Sequence, residues 1–142
     1  MTGTSRERAL RARARGRVLE LGPGVDLDAL AARGERFDTV VSIGALAEAP
    51  DPIEELRRVE RVLADDGELL LLEPTSTPGA AGALHQVGAR LRRGRPLADI
   101  PAVVRAAGLS LADCDRIWTH RGVLVEGVAF RTIFPARTGV GP

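Results

Sequence analysis

Two stretches decide the fold of this chain: Arg17–Gly24 reads RVLELGPG, and Phe37–Pro74 reads FDTVVSIGALAEAPDPIEELRRVERVLADDGELLLLEP. Each opens with a strand candidate, Val18–Leu21 and Phe37–Ser42, and the first ends at a Gly-Pro-Gly turn. Only 12 of the 142 residues, Val25–Arg36, lie between the two stretches. A parallel crossover needs about a dozen residues, so this connection has room for one short helix.

The connection carries the signals of such a helix. Asp26 is a typical N-cap, with Val25 and Leu30 spaced as a hydrophobic staple. The helix is predicted over 27–33 and ends at Gly34.

The second stretch reads as strand, helix and strand. Phe37–Ser42 is rich in β-branched residues. Asp51 then caps a helix that has Pro52 at its first position, and Asp-Gly at 66–67 predicts a turn. Glu68–Glu73, almost wholly Leu, predicts a strand that is covered on both faces.

The rest of the chain predicts two more helices and two more strands. One helix lies at 84–91, and Asp99 caps another that closes at Gly108. Asp115–Thr119 and Leu124–Arg131 read as an antiparallel pair. Together these elements predict an α/β fold of about five strands.

Composition restricts the class of protein. Net charge is +1 and charged residues make up 27% of the chain, which favours neither a strongly acidic nor a strongly basic partner. The single cysteine excludes an intramolecular disulfide. The longest apolar run has 4 residues, Leu69–Leu72, far too few to cross a membrane. We predict a cytoplasmic protein with no membrane partner and no metal-ligand cluster.

Three segments are predicted. Residues 1–16 form an Arg-rich leader or short helix, residues 17–131 the folded domain, and residues 132–142 a disordered tail. The arginines of the first segment raise the question of nucleic-acid binding. No Lys or aromatic residue lies between them, so a solvated or frayed leader is the favoured interpretation and nucleic-acid binding is not expected.

Strand, glycine turn, strand, capped helix, Asp-Gly turn and Leu-rich strand, in this order, resemble the class I (Rossmann-like) S-adenosylmethionine-dependent methyltransferases, type 11-like. The resemblance covers 17–131, and Ala106–Leu109 (AAGL) falls at the family's last helix-to-strand turn. The family's strand order is 3-2-1-4-5-7-6. A chain shortened between the first motif and the fourth strand keeps 1-4-5-7-6, with the last strand antiparallel.

The shortening has consequences for the sheet. Crossover connections between parallel strands are right-handed in about 98% of cases. When successive strands are added on the same side of the sheet, all the connecting helices therefore lie mainly on one face. The switch point where open α/β sheets bind ligands disappears, and Val18–Leu21 becomes an exposed edge. Two remedies are open: a homodimer through the exposed sheet face or the first-strand edge, or a heteromeric partner.

The resemblance implies a set of cofactor-binding residues. Glu20, Gly22 and Gly24 match the acid and alternating glycines that hold the methionine end of S-adenosylmethionine, and Ser42 and Ile43 follow the strand that contacts the same moiety. Gly-x-Gly is also common in ordinary strand-to-helix turns, and the usual third glycine is absent.

Asp26 stands in place of that third glycine. It brings negative charge and side-chain bulk to the turn. Asp26 and Asp28 are the two candidates for the family's ribose-binding acid, but helix capping by Asp26 is the favoured interpretation. The sequence allows two interpretations of Glu73: a residue at the rim of the site, or a solvated strand end.

His85 is the weak candidate for a general base, because in the family its segment often builds the substrate lid. A surface histidine is the commoner explanation, so the catalytic residue stays unknown.

Two functions follow from these observations. The first is an S-adenosylmethionine-dependent methyltransferase-like protein that methylates a small molecule. The second is a catalytically inactive methyltransferase fold that acts as a dimeric or heteromeric binding partner. The family motifs favour the first, and the incomplete cofactor pocket favours the second.

Overall fold

The computed structural model describes residues 4–76, 97–119 and 122–132. The predicted helix at 84–91, the candidate base His85 and the tail from 133 onward lie outside these residues. The elements in the described part of the chain are α1 (Ser5–Ala12), β1 (Val18–Glu20), α2 (Leu27–Ala32), β2 (Phe37–Ile43), α3 (Ala45–Glu48), α4 (Pro52–Val62), β3 (Leu63–Thr75), α5 (Ile100–Ala106), β4 (Leu109–Thr119) and β5 (Gly122–Arg131).

The strands form one sheet of 5 strands in the order β1-β2-β3-β5-β4. β1, β2 and β3 are parallel to one another, and β5 is antiparallel to both β3 and β4. Matched to the family's strands in chain order, this is 1-4-5-7-6 with the last strand antiparallel. The predicted topology is therefore confirmed, and β1 lies at an edge of the sheet.

The helices are distributed unequally over the two faces. α2, α3, α4 and α5 pack against one face, where the main core contains Leu27, Leu46, Leu56, Val104 and Leu71, among other residues. On the other face a smaller core forms around α1, with Leu10 against Val41, Leu70 and Val128. Within the described residues α1 is the one helix on that second face, as the handedness argument predicts.

α1 belongs to the folded domain. Thr4 caps it, and its Leu10 is completely buried. The Thr39 hydroxyl accepts from the Arg15 amide (3.1 Å) and donates to the Arg15 carbonyl (2.8 Å), which fixes the segment between α1 and β1 to β2. The expectation of a solvated leader is wrong for these residues, because one fully buried leucine and a two-way hydrogen bond hold them to the sheet.

The arginines of this segment also have intramolecular partners. Arg6 and Arg13 lie within salt-bridge distance of Glu126 (3.4 and 4.0 Å), and Arg11 pairs with Glu20 (2.8 Å). These pairs give the three arginines a role in docking α1 against the sheet.

Three helix starts follow the sequence closely. The caps accept from the backbone amide three residues further on, in the pairs Asp26–Ala29, Asp51–Glu54 and Asp99–Ala102. Each such cap is worth about 1 kcal/mol. The capping interpretation of Asp26 is thereby confirmed.

The turn predicted at 66–67 is wrong. β3 begins directly after α4 at Leu63, which pairs with Phe37, and the next pair is Thr39 with Glu68. The residues between form a bulge inside a continuous strand. Gly67 is buried in this bulge, where a Cβ atom would lie 3.0 Å from the Phe37 carbonyl oxygen. Glycine at this position therefore allows the two strands to approach each other closely.

Candidate functional site

An open cleft of about 690 Å³ lies at the carboxyl ends of β1 and β2. Its described lining falls into two walls. We call residues 21–25 the β1 wall and residues 43–50 the β2 wall; α4 adds Glu55. The lining residues are Leu21, Gly22, Pro23, Val25, Ile43, Gly44, Ala45, Glu48, Ala49, Pro50 and Glu55.

The β1 wall is a tight turn with free space beside it. The Val25 amide donates to the Gly22 carbonyl (3.1 Å), which closes the turn. A Cβ atom built on Gly22 or Gly24 would meet nothing within 4 Å. Packing within the described chain therefore does not require glycine at either position, and the free space at Gly22 opens into the cleft.

The β2 wall turns sharply at its start. Gly44 has φ 76°, a left-handed conformation that costs other residues about 1–2 kcal/mol. Its amide donates to the Leu72 carbonyl on β3 (3.0 Å). α3 follows at once, and its 4 residues are too few to be stable without external contacts.

Glu73, at the end of β3, supplies those contacts. Its side chain is completely buried. One carboxyl oxygen, Oε2, accepts from the Ser42 hydroxyl (2.5 Å) and the Leu46 amide (3.2 Å), and Oε1 accepts from the Ala47 amide (3.1 Å). The carboxyl group therefore ties β2 and the first turn of α3 to β3, and the solvated-end interpretation of Glu73 is wrong.

The environment of Glu73 also changes its acidity. Burial raises its pKa from 4.5 to about 7, while the hydrogen bonds from Ser42, Leu46 and Ala47, and the nearby Gly44 amide, oppose that rise. The causes of the shift include no charged side chain. The carboxyl group thus titrates near neutral pH in a site fixed by hydrogen bonds alone.

The structure brings two of the predicted cofactor-binding residues to the cleft. Gly22 lies in the β1 wall and Ile43 in the β2 wall. Gly24 is not among the lining residues, and Ser42 lies completely buried beneath α3, bonded to Glu73. Their roles toward a cofactor stay predictions.

Glu20 lies apart from the cleft lining. Its carboxylate accepts from Arg11 Nε (2.9 Å) and Nη2 (2.8 Å), on the side of the sheet that α1 covers. The bidentate bond lowers the pKa of Glu20. Glu20, the acid that the resemblance assigns to cofactor binding, is therefore already paired with Arg11 of the same chain.

Asp28, the second ribose-acid candidate, faces α4. It lies 3.6 Å from Arg58 and 3.7 Å from Arg61 and is not among the residues of the cleft. Among the residues that the structure describes, no three His, Cys, Asp or Glu side chains come together as a metal site. None of the described helices has the length and apolar character that crossing a membrane requires.

Sequence reasoning missed most of the β2 wall. α3 has too few residues to show helical periodicity, and Glu48 and Glu55 are not among the predicted site residues. One signal was present: Gly44 directly after a β-branched strand, followed by Pro50, marks a turn with a short element inside it.

No protein-family model and no curated protein matches the chain. Several solved structures share its fold. Magnesium protoporphyrin IX methyltransferase from Synechocystis PCC 6803, with bound SAH, is 20% identical with a TM-score of 0.52, over 76% of this chain and 49% of that one. A structure described as a pericyclic reaction enzyme is 16% identical with a TM-score of 0.58, over 89% and 39%.

A third comparison involves an assembly. A chain from the complex between the Haloferax volcanii Trm112 methyltransferase activator and a protein assigned as a methyltransferase is 17% identical with a TM-score of 0.60, over 87% of both chains. This chain therefore spans less than half of the first two proteins and most of the third. The strand order and these likenesses together show the class I methyltransferase fold in a shortened form of 5 strands.

Proposed function

We propose that the chain is an S-adenosylmethionine-dependent methyltransferase-like protein that binds its cofactor in the cleft between the β1 and β2 walls. The supporting observation is the cleft itself, which lies at the carboxyl ends of the parallel strands β1 and β2, although the described sheet has no switch point between them. Structures with this fold include a methyltransferase with bound SAH. This site survives although β1 is an edge strand.

The charge of the cleft suits this ligand. S-adenosylmethionine carries a sulfonium and an ammonium group against one carboxylate and is therefore a net cation. The described lining contains the carboxylates Glu48 and Glu55 and no basic side chain. The ion pair of Glu55 with Arg58 (3.5 Å) reduces this negative charge, and the charge that remains favours the sulfonium form over phosphorylated ligands.

The proposed reaction is methyl transfer to a small molecule. A lone pair of the acceptor attacks the methyl carbon, the carbon–sulfur bond breaks, and sulfur leaves with the bonding electrons as a neutral thioether. The protein contributes mainly by holding the two reactants in line. His85 stays the weak candidate for the base that removes the acceptor's proton.

A partner completes this site in our proposal. The outer edge of β1 has no neighbouring strand in the described sheet, and Val18, at the start of β1, is 44% exposed. β1 has only 3 residues, and ion pairs of Arg11 with Glu20 and of Arg17 with Glu35 flank it. Short, charged edges resist strand addition, so we expect the partner to cover the open side of the cleft rather than extend the sheet. A second copy and a different protein are both candidates, and the Haloferax complex supports the latter.

A non-catalytic binding role is the second candidate. The bond between Arg11 and Glu20 favours it, because it occupies the acid that the resemblance assigns to the cofactor. The fold also accommodates other chemistry, as the likeness to a pericyclic reaction enzyme illustrates. S-adenosylmethionine binding without methyl transfer to any acceptor would favour this second function.

Calorimetric titration with S-adenosylmethionine and S-adenosylhomocysteine tests the proposal. Gly22→Leu adds a side chain to the free space of the cleft and should weaken binding about tenfold or more. Ala102→Leu, on the exposed side of α5, adds the same side chain elsewhere and should leave binding unchanged. Failure of the wild type to bind either ligand at millimolar concentration, alone and with its partner, would refute the proposal.

A further inference from the structure

We propose that Glu73 is a positioning residue of the cleft: it fixes the β2 wall and thereby sets the affinity for the cofactor. The inference rests on the function proposed above. Glu73 is not among the residues that line the cleft, so its effect on a ligand is transmitted through Ser42 and α3.

Leu46 packs α3 into the main core, and the Glu73 carboxyl group supplies the side-chain acceptor for the wall. The Leu46 and Ala47 amides belong to the first turn of α3, where backbone donors have no partner inside the helix. Ala45 and Glu48, on the same 4-residue helix, line the cleft. An element this short keeps its place only while its contacts persist, so loss of the acceptor displaces the wall.

The stability of the fold alone does not explain a glutamate at position 73. The preceding residues that face the same core, Leu69 and Leu71, are completely buried leucines. Burying a carboxyl group costs free energy that another leucine would avoid. The acid is explained by the three donors that meet it at the end of the strand, next to the cleft.

The geometry is specific for glutamate. Its two oxygens accept from three donors of two different elements. Gln keeps the length of the side chain, but its amide nitrogen would face a backbone N–H or the Ser42 hydroxyl in place of an acceptor. Glu73→Gln therefore tests the acceptor with almost no change in volume.

The experiment compares Glu73→Gln with Val128→Ala, which weakens the separate core under α1. We expect Glu73→Gln to lose about tenfold in affinity for S-adenosylhomocysteine, and exchange of the Leu46 and Ala47 amides to accelerate about tenfold. Val128→Ala should lower global stability and leave both the affinity and these two amides within about twofold of wild type. This contrast separates positioning from general destabilisation.

Two results would overturn the inference: Glu73→Gln binding as the wild type does, or exchange of the two amides unchanged. If the wild type binds neither ligand, the proposed function fails, and faster exchange confined to 45–49 in Glu73→Gln would still support the control of the wall by Glu73. If Glu73→Gln does not fold, Ser42→Ala removes one donor and leaves the carboxyl group in place. It should accelerate the same amides about threefold, and unchanged exchange there would overturn the inference.

Discussion

The two walls of the cleft are built differently. The β2 wall is held by a buried carboxyl group with three hydrogen bonds, and its second residue, Gly44, is in a left-handed conformation. The β1 wall follows an edge strand of 3 residues, and its two glycines have free space beside them. The β2 wall is supported by contacts within the described chain, whereas the β1 wall is open to a partner that covers the edge strand.

The difference follows from the positions of the strands in the sheet. Strands β2 and β3 lie inside the sheet, so each supports the other's loops, as Ser42 and Glu73 do. β1 has lost the neighbour that a longer sheet would provide on its outer side. Substitutions that remove the support of the β2 wall should therefore reduce folding stability, whereas a substitution at Gly22 in the β1 wall should affect binding alone.

Glu73→Ala should have the largest effect. It leaves two backbone amides and the Ser42 hydroxyl buried without their acceptor, at about 1–3 kcal/mol each before relaxation. We expect a loss of about 4 kcal/mol in the free energy of unfolding, measured by urea denaturation near pH 5. A loss below about 1 kcal/mol would show that water replaces the carboxyl group and that the wall does not depend on it.

The pH dependence of stability should come next. The pKa of Glu73 rises from 4.5 to about 7 on folding, so below pH 4.5 the group is protonated in both states and folding incurs no penalty. As the pH rises through 7, ionisation favours the unfolded chain by roughly 3 kcal/mol. Urea denaturation across this window should show that decrease in the wild type and not in Glu73→Gln.

Other shifted groups fall outside that window. Arginine partners lower the pKa of Glu20 and Glu35, so their contributions are present above pH 4.5 and disappear only as the pH falls below it. Equal pH profiles for the wild type and Glu73→Gln would contradict the assignment of a raised pKa to Glu73.

Gly44→Ala should have a smaller effect. The added methyl group meets no atom within 4 Å, so its cost is the left-handed backbone alone, about 1–2 kcal/mol. Thermal unfolding checks the value, and a neutral result would mean that the turn into α3 can relax. That result would remove the contrast between the two walls.

Gly22→Ala should have the smallest effect on folding. Nothing lies within 4 Å of the added methyl group and the backbone is not left-handed, so stability should stay within about 0.5 kcal/mol of wild type. Binding of S-adenosylhomocysteine should still weaken, because the methyl group enters the cleft. A destabilisation equal to that of Gly44→Ala would show that the β1 wall is packed after all.

The topology was predictable because it rests on chain length and handedness. Twelve residues between two parallel strands leave room for one helix, and right-handed crossovers then place the helices on one face. The caps Asp26, Asp51 and Asp99 were predictable because capping is a local interaction with a local signature. Strand order and helix starts therefore needed no knowledge of tertiary contacts.

The site was less predictable because it depends on contacts between distant residues. Ser42 and Glu73 are 31 residues apart, and no local sequence pattern at either residue predicts their hydrogen bond. Likewise, the local sequence at Gly67 predicts a turn, and its burial against Phe37 becomes evident only when β2 and β3 are paired. The bond between Arg11 and Glu20 depends on the docking of α1, which the Arg-rich sequence did not predict.

Amide hydrogen exchange of the wild type, with and without S-adenosylhomocysteine, tests the central claim most directly. If the cleft binds the cofactor, protection should increase in both walls, at residues 21–25 and 43–50, with the larger change in the β1 wall because it has no support of its own. Protection confined to other parts of the sheet, or no change at ligand concentrations that saturate binding, would contradict the account.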